Sequence, residues 1–273
     1  MLSRFRFSKS RFFRSSCFLL PALCLLTASS LSRSEEQTAT EQTLSVGAYY
    51  SNGDYGEPVD TEIFYFPVSY DRRHGKWGFL MSLPHLEVTG LGNVLPNVGG
   101  VNPARAETQQ STSRGLGDAQ ASVIYQFDPL SANTPFIDLR FDVKIPTADE
   151  EKSLGTGEYD YGVQLDLYQA LASSTLFGSV GYSFRGKSEL FEGLEDGAYV
   201  QLGVTRPLSD RWSIGLIYDY REAVSSFSLE THEVLPYFSW EITGNWSFTG
   251  YAAKGFTESS PDIAVVGQLN YRW

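Results

Sequence analysis

Four ionisable residues occupy alternate positions in Ile137-Asp138-Leu139-Arg140-Phe141-Asp142-Val143-Lys144-Ile145. In an extended chain, side chains two apart share a face. Asp138, Arg140, Asp142 and Lys144 therefore make one charged face, and the residues between them make an apolar one. Such a face has two uses. It can line an aqueous path and set its ion selectivity, or its charges can pair across strands as struts, each pair contributing ~0.2–1 kcal/mol. Asp118, Asp160 and Asp166 stand in neighbouring segments of the same pattern, and Arg185, Asp219, Arg221 and Arg272 extend it further.

Other chemistry is sparse. The histidines His74, His85 and His232 are scattered, although His232 lies near Ser225, Ser226 and Ser228. A Ser–His lipid hydrolase needs nucleophile and base in hydrogen-bond reach and a third group to orient the base. Nothing in the spacing enforces that, so no catalytic residue is assigned and an enzyme is not expected. The loop Pro146-Thr147-Ala148-Asp149-Glu150-Glu151-Lys152-Ser153-Leu154-Gly155-Thr156-Gly157-Glu158 is acidic. It lacks the regular ligand spacing of a calcium loop and reads as a solvated acidic loop. Gly155-Thr156-Gly157 lacks the Lys-Ser/Thr of a phosphate loop and reads as a turn. Neither a metal nor a cofactor is expected.

The elements that must position the charges are strands. Period-2 alternation broken by turn residues recurs along the chain. It predicts twelve strands near 43–51, 60–70, 76–88, 116–127, 134–145, 159–170, 174–185, 196–206, 211–221, 231–241, 245–255 and 263–273. Most are about as long as the ~9–11 residues that a tilted strand needs to cross a bilayer. Their connections alternate in size. Short turns lie at 71–75, 128–133, 170–173, 207–210 and 243–244, and longer polar connections at 52–59, 89–115, 146–158, 186–195, 222–230 and 256–262. Short turns on one side and long loops on the other mark an outer-membrane barrel. Trp77, Trp212, Trp246 and Trp273 all fall near short-turn ends, where an aromatic girdle meets the lipid interface. The predicted fold is all-β, a closed antiparallel transmembrane β-barrel of about twelve strands. The loop at 89–115, with Val94, Leu95, Asn97, Val98, Gly99, Gly100, Asn102 and Pro103, either folds into the mouth or covers the outside.

The two ends agree. Residues 1–34 carry Arg4, Arg6, Lys9, Arg11 and Arg14 ahead of a short apolar run and the small residues Ala28, Ser29 and Ser30. This is the form of a secretory signal peptide, with cleavage expected after Ser30 or Ser34. The chain's two cysteines, Cys17 and Cys24, lie inside it, so the mature barrel, residues 35–273, has no disulfide. Removal of the leader leaves 15 basic residues against 32 acidic ones. That excludes a nucleic-acid partner, which demands a basic face. At the other end Leu269, Tyr271 and Trp273 form the apolar face of the last strand. Terminal alternation that closes on an aromatic resembles the signal read by the outer-membrane insertion machinery.

Gly115-Leu116-Gly117-Asp118, Lys144-Ile145-Pro146-Thr147, Leu154-Gly155-Thr156-Gly157, Tyr159-Asp160-Tyr161 and Val180-Gly181-Tyr182 follow one another in that order. This series resembles the outer-membrane transporter family named after the MetA pathway of phenol degradation. The family pattern favours Gly after Pro-Thr, where Ala148 stands here. The resemblance implies an outer-membrane location and passage of small, often hydrophobic, molecules; it carries no catalytic residues.

The leading expectation is a porin-like channel in a Gram-negative outer membrane for small hydrophobic or aromatic solutes. Its partners are outer-membrane lipid, the insertion machinery and the solute. Its lumen is lined by Asp118, Asp138, Arg140, Asp142, Lys144, Asp160 and Asp166. A plugged structural or envelope-interaction barrel is the first alternative and a lipid hydrolase the second.

Overall fold

The protein is described by a computed structural model covering residues 15–17, 23–25, 40–92, 94–95, 109–131, 134–189, 191 and 193–273. Apart from a short ribbon pairing Ser15–Cys17 with Leu23–Leu25, the expected leader lies outside the described residues, as do Asn97 to Pro103.

Twelve wall strands run in chain order. They are β1 (Thr40–Gly53), β2 (Thr61–His74), β3 (Trp77–Gly90), β4 in two segments (Ser111–Leu116 and Ala119–Phe127) and β5 (Phe136–Ile145). β6 (Asp160–Ala170), β7 (Thr175–Phe184), β8 (Gly197–Pro207) and β9 (Trp212–Arg221) follow. β10 (Thr231–Glu241), β11 (Trp246–Gly255) and β12 (Ile263–Arg272) complete the wall. Each strand pairs antiparallel with its neighbours, and β12 pairs back onto β1 from Ile263–Asn52 to Arg272–Thr43. Trp273 extends this seam, its N–H donating to the Gln42 carbonyl at 3.1 Å while the Gln42 N–H donates to the Trp273 carbonyl at 3.2 Å. A closed barrel leaves no unpaired edge, which a bilayer requires. No helix occurs among the described residues.

The expected strands are all present, with shifted limits. β2 runs on to His74, so the turn is Gly75-Lys76 and not the whole of 71–75. The reason is local: Asp71 faces inward and accepts a hydrogen bond from Arg73 Nε at 3.2 Å, so the two charges pair within the strand. β4 carries a bulge. Ser82 faces Gln120 and His85 faces Leu116, so Leu83-Pro84 oppose the three residues Gly117-Asp118-Ala119. An extra residue re-aims the side chains around it, and Pro84, which has no N–H to give the ladder, is at home beside such a break.

Alternation sorts each strand into an outer and an inner face. Leu44, Val46, Phe66, Val68, Phe79, Met81, Phe141, Leu202, Ile214, Leu216, Val265 and Leu269 are exposed on the outside, which is how a lipid-facing belt reads. Trp77, Trp212, Trp246 and Trp273 are exposed at short-turn ends, as the girdle pattern predicts. Trp240 joins them, stacked on Trp212 with ring centroids 5.2 Å apart. The inner face holds the buried residues.

Candidate functional site

Register, more than any single strand, organises the interior. Along the inner face of β4 to β10 the paired residues form three adjacent rows. One is Gln126, Asp138, Asp166, Ser179, Gln201, Asp219 and Glu233, each directly opposite the next. A second, two residues further toward the long loops, is Ile124, Arg140, Gln164, Gly181, Tyr199, Arg221 and Thr231. The third, on the other side of the acidic row, is Phe136, Tyr168, Phe177, Gly203, Ile217 and Leu235. Gly203 leaves room for the Phe177 ring, which a Cβ there would strike. Because barrel strands tilt against the axis, these rows climb. Gln126 lies one residue from the short-turn end of β4, whereas Glu233 lies two residues inside the long-loop end of β10. An acidic lane thus runs between a basic lane and an apolar lane.

Side chains are tied along these lanes. Arg140, 1% exposed, donates from Nε to Asp142 Oδ1 at 2.6 Å and from an Nη to Ser122 Oγ at 3.2 Å. Ser122 donates to the same Asp142 oxygen at 2.6 Å. Asp166 accepts from Gln164 and Ser179, each at 2.6 Å, and Asp138 accepts from Gln126 Nε2 at 3.2 Å. Tyr199 donates its hydroxyl to Gln164 Oε1 at 2.8 Å.

Toward the long loops, Lys144 Nζ lies 2.8 Å from Asp160, 3.4 Å from Asp118 and 2.8 Å from the Thr156 hydroxyl. Asp160 also accepts from the Gly186 N–H at 2.9 Å and faces Arg185 at 3.7 Å. The bulge is sealed by the segment after β5. Thr147 Oγ1 accepts from the Ala119 N–H and donates to the Gly117 carbonyl, both at 2.8 Å, while the Ala148 N–H donates to Asp118 at 3.1 Å. Four of the five segments that carry the family resemblance therefore converge on one knot beneath the barrel mouth; Val180-Gly181-Tyr182 lies in the wall beyond it.

All seven of the expected lining residues face this interior: Asp118, Asp138, Arg140, Asp142 and Asp166 are buried, and Lys144 and Asp160 nearly so. Two groups form. Asp138, Arg140, Asp142 and Asp166 lie in or beside the lanes, and Asp118, Lys144 and Asp160 form the knot. The loop 146–158 departs from its expected solvation. Asp149, Glu150, Glu151 and Lys152 are exposed, but Ser153 to Thr156 are buried. Leu154 packs into the interior apolar cluster with Leu86, Val88 and Val94, and that contact outweighs the polarity of its neighbours. Ser153 adopts φ +58° to make the inward bend. On the exposed half, the hydrogen bond from Lys152 holds the Asp149 carboxyl below its ordinary value.

The described part of the loop after β3 folds inward. Val94 joins the interior cluster, and Leu95 packs with Phe191 beside Val224 and Phe227 from two other loops. Tyr55, in the connection after β1, is buried as well. Burial pushes its phenol well above the ordinary value, the hydrogen bond with Ser51 opposes the rise, and the charges of Glu233 and Asp262 add smaller contributions to it.

The serine–histidine idea finds no geometry. Ser225 Oγ donates to Ser228 Oγ at 2.8 Å, while His232 Nδ1 lies 2.7 Å from the Tyr218 hydroxyl, on the opposite face of β10 from Glu233. Sequence reasoning missed Gln164, Ser179, Gln201 and Glu233. Glu233 was within reach of the same alternation, since it falls on the face opposite His232, Val234 and Phe238.

Solved structures share this architecture. The chain is similar to the NanC porin at 9% identity, over 83% of this chain and 97% of that one, with a TM-score of 0.54. It is similar to the KdgM porin in complex with disordered oligogalacturonate at 8% identity, over 85% and 98%, with a TM-score of 0.50. No curated protein matches the sequence. The family model described as "Putative MetA-pathway of phenol degradation" matches residues 69–273. That span takes in the bulge, the knot, the three lanes and the closing strand, and the chain belongs to this family, as a closed twelve-stranded β-barrel of the bacterial outer membrane.

Proposed function

We propose that the barrel is a passive channel for small solutes, and that hydrophobic or aromatic molecules with a polar handle suit it best. The observation that carries this reading is the pairing of lanes. Tyr168, Phe177, Ile217 and Leu235 run beside Asp138, Asp166, Gln201 and Asp219 from one end of the wall toward the other. A solute moving between them keeps an apolar body on one side and a hydrogen-bonding group on the other, so neither is stranded. Asp138, Arg140, Asp142 and Asp166 serve as lining, and Asp118, Lys144 and Asp160 hold the mouth. The family's description, a pathway of phenol degradation, agrees with aromatic cargo.

A plugged structural barrel is the second reading, favoured by the closed Arg140–Asp142–Ser122 triangle, whose short bonds are what a strut would make. Planar-bilayer recording of the refolded mature protein separates the two. The channel reading expects steady conductance whose ion selectivity changes in Arg140→Ala and Asp142→Ala. Silent bilayers together with lost heat stability in both variants would make these residues struts. We also assign Leu269, Tyr271 and Trp273 as the signal for the insertion machinery. Replacing all three with Ser should block assembly in cells while leaving refolding into detergent possible.

A further inference from the structure

We propose that the acidic lane ends, beneath the mouth, in a binding site for small organic cations built on Glu233. Glu233 and Asp219 stand directly opposite each other across β9 and β10, and both are buried. Like charges facing each other on one sheet destabilise it unless something neutralises them. Asp219 is provided for. Gln201 Nε2 donates to one of its oxygens at 2.5 Å and Arg221 Nε to the other at 3.0 Å.

Glu233 is not provided for. Its side chain is 2% exposed, and Oε1 has no hydrogen-bond partner. Two residues nearer the mouth, on the same inner face, Thr231 Oγ1 is also buried without a partner. Arg221 lies opposite Thr231; its Nε donates to Asp219, and its guanidinium sits over the Tyr199 ring, 5.1 Å from the centroid. Two carboxyl groups share that one guanidinium, beside an acceptor that the chain does not satisfy. Buried carboxylates are tolerated where a cation or donor meets them.

The surroundings select the kind of cation. No group of three His, Cys, Asp or Glu able to hold a metal ion occurs among the described residues, and both Asp219 oxygens are engaged. Four residues further along the inner face of β10, toward the short turns, the interior becomes aromatic. Tyr237, Tyr251, Val266, Tyr49 and Tyr65 form a continuous register row across β10, β11, β12, β1 and β2. Tyr55 lies close enough for the charge of Glu233 to act on its phenol. An ammonium group is attracted both to a carboxylate and to the faces of such rings. The site takes a protonated amine carried on a small apolar or aromatic body.

This inference rests on the channel reading only for access of the solute, so binding is measured apart from flux. Benzylamine, an ammonium at neutral pH, and benzyl alcohol, the same ring without charge, are titrated calorimetrically into the refolded mature barrel in detergent. Benzylamine is expected to bind at least about tenfold more tightly than the alcohol, as a desolvated charge and ring contact imply. Glu233→Gln should erase that preference, Thr231→Val should weaken benzylamine several-fold, and Asp149→Asn, on the exposed loop, should change neither. Equal binding of the two probes, or full benzylamine affinity in Glu233→Gln, overturns the site. If Glu233→Gln does not refold, Thr231→Val decides: unchanged affinity there sinks the proposal. A silent bilayer with benzylamine still bound would reject the channel and keep the site. Steady conductance without benzylamine binding would reject the site alone.

Discussion

Lys144 Nζ lies 2.8 Å from Asp160 and 3.4 Å from Asp118, joining the bulge of β4 to the first residue of β6 through a side chain of β5. Removing one member of a buried ionic group leaves the others uncompensated. Lys144→Met is therefore expected to lower stability by about 3 kcal/mol, toward the lower end of the range for a broken buried pair. The backbone N–H groups of Ala148 and Gly186 still serve the two carboxylates. The gel-shift temperature of the folded barrel reads this out, and adding Asp160→Asn should recover part of the loss. An unshifted temperature in Lys144→Met would show that the knot bears no load.

Gly155 packs where a side chain would not fit. A Cβ there would lie 2.7 Å from the Ala148 Cβ and 2.8 Å from an Asp118 oxygen. Gly155→Ala should destabilise the barrel by about 1–3 kcal/mol, the usual range for overpacking. Ala148 stands where the family favours Gly, so Ala148→Gly combined with Gly155→Ala should restore much of the lost stability. Simple additivity in the double variant would contradict this coupling.

Thr147 makes two hydrogen bonds to the bulge with one hydroxyl. Thr147→Val keeps the shape and removes both, leaving the Ala119 N–H and the Gly117 carbonyl to find other partners. Hydrogen exchange at Ala119 should accelerate markedly, with amides in β9 and β10 unaffected. Uniform acceleration round the wall would mean the bulge is not a local unit.

Tyr55 supplies a pH dependence. Its phenol is held above its ordinary value chiefly by burial, so the folded state keeps a proton that the unfolded state loses once pH exceeds about 10. Stability is fully present below that pH and declines as pH rises beyond it. Tyr55→Phe should flatten the alkaline decline of the unfolding midpoint measured between roughly pH 9 and 12. A curve identical to the parent would remove Tyr55 as its source.

How much of this was legible depended on how far the deciding interactions lie along the chain. The inward turn of Asp138, Arg140 and Asp142 was readable because a period of two is fixed within one strand. The girdle was readable in Trp77, Trp212 and Trp246 because each sits beside its own turn, and in Trp273 because it closes the alternation of the last strand; Trp240 escaped because its neighbour Trp212 is a cross-strand contact. The lanes were not readable. They depend on register, which turns, the bulge and barrel closure set jointly. The burial of Leu154 was hidden for a similar reason. Its neighbours in sequence are polar, and only the return of β3 and the loop beyond it supplies the apolar surface it joins.

The paired hydrogen bonds between Gln42 and Trp273 bring the start of β1 and the close of β12 together at the short-turn rim. The wall thus has no intrinsic first strand; sequence order is one of several ways to cut the same ring. A few residues joining 273 to 40, with new ends opened in the connection between β7 and β8, would give a circular permutant with the same pairings. Such a rearranged chain would begin with β8 and finish with β7.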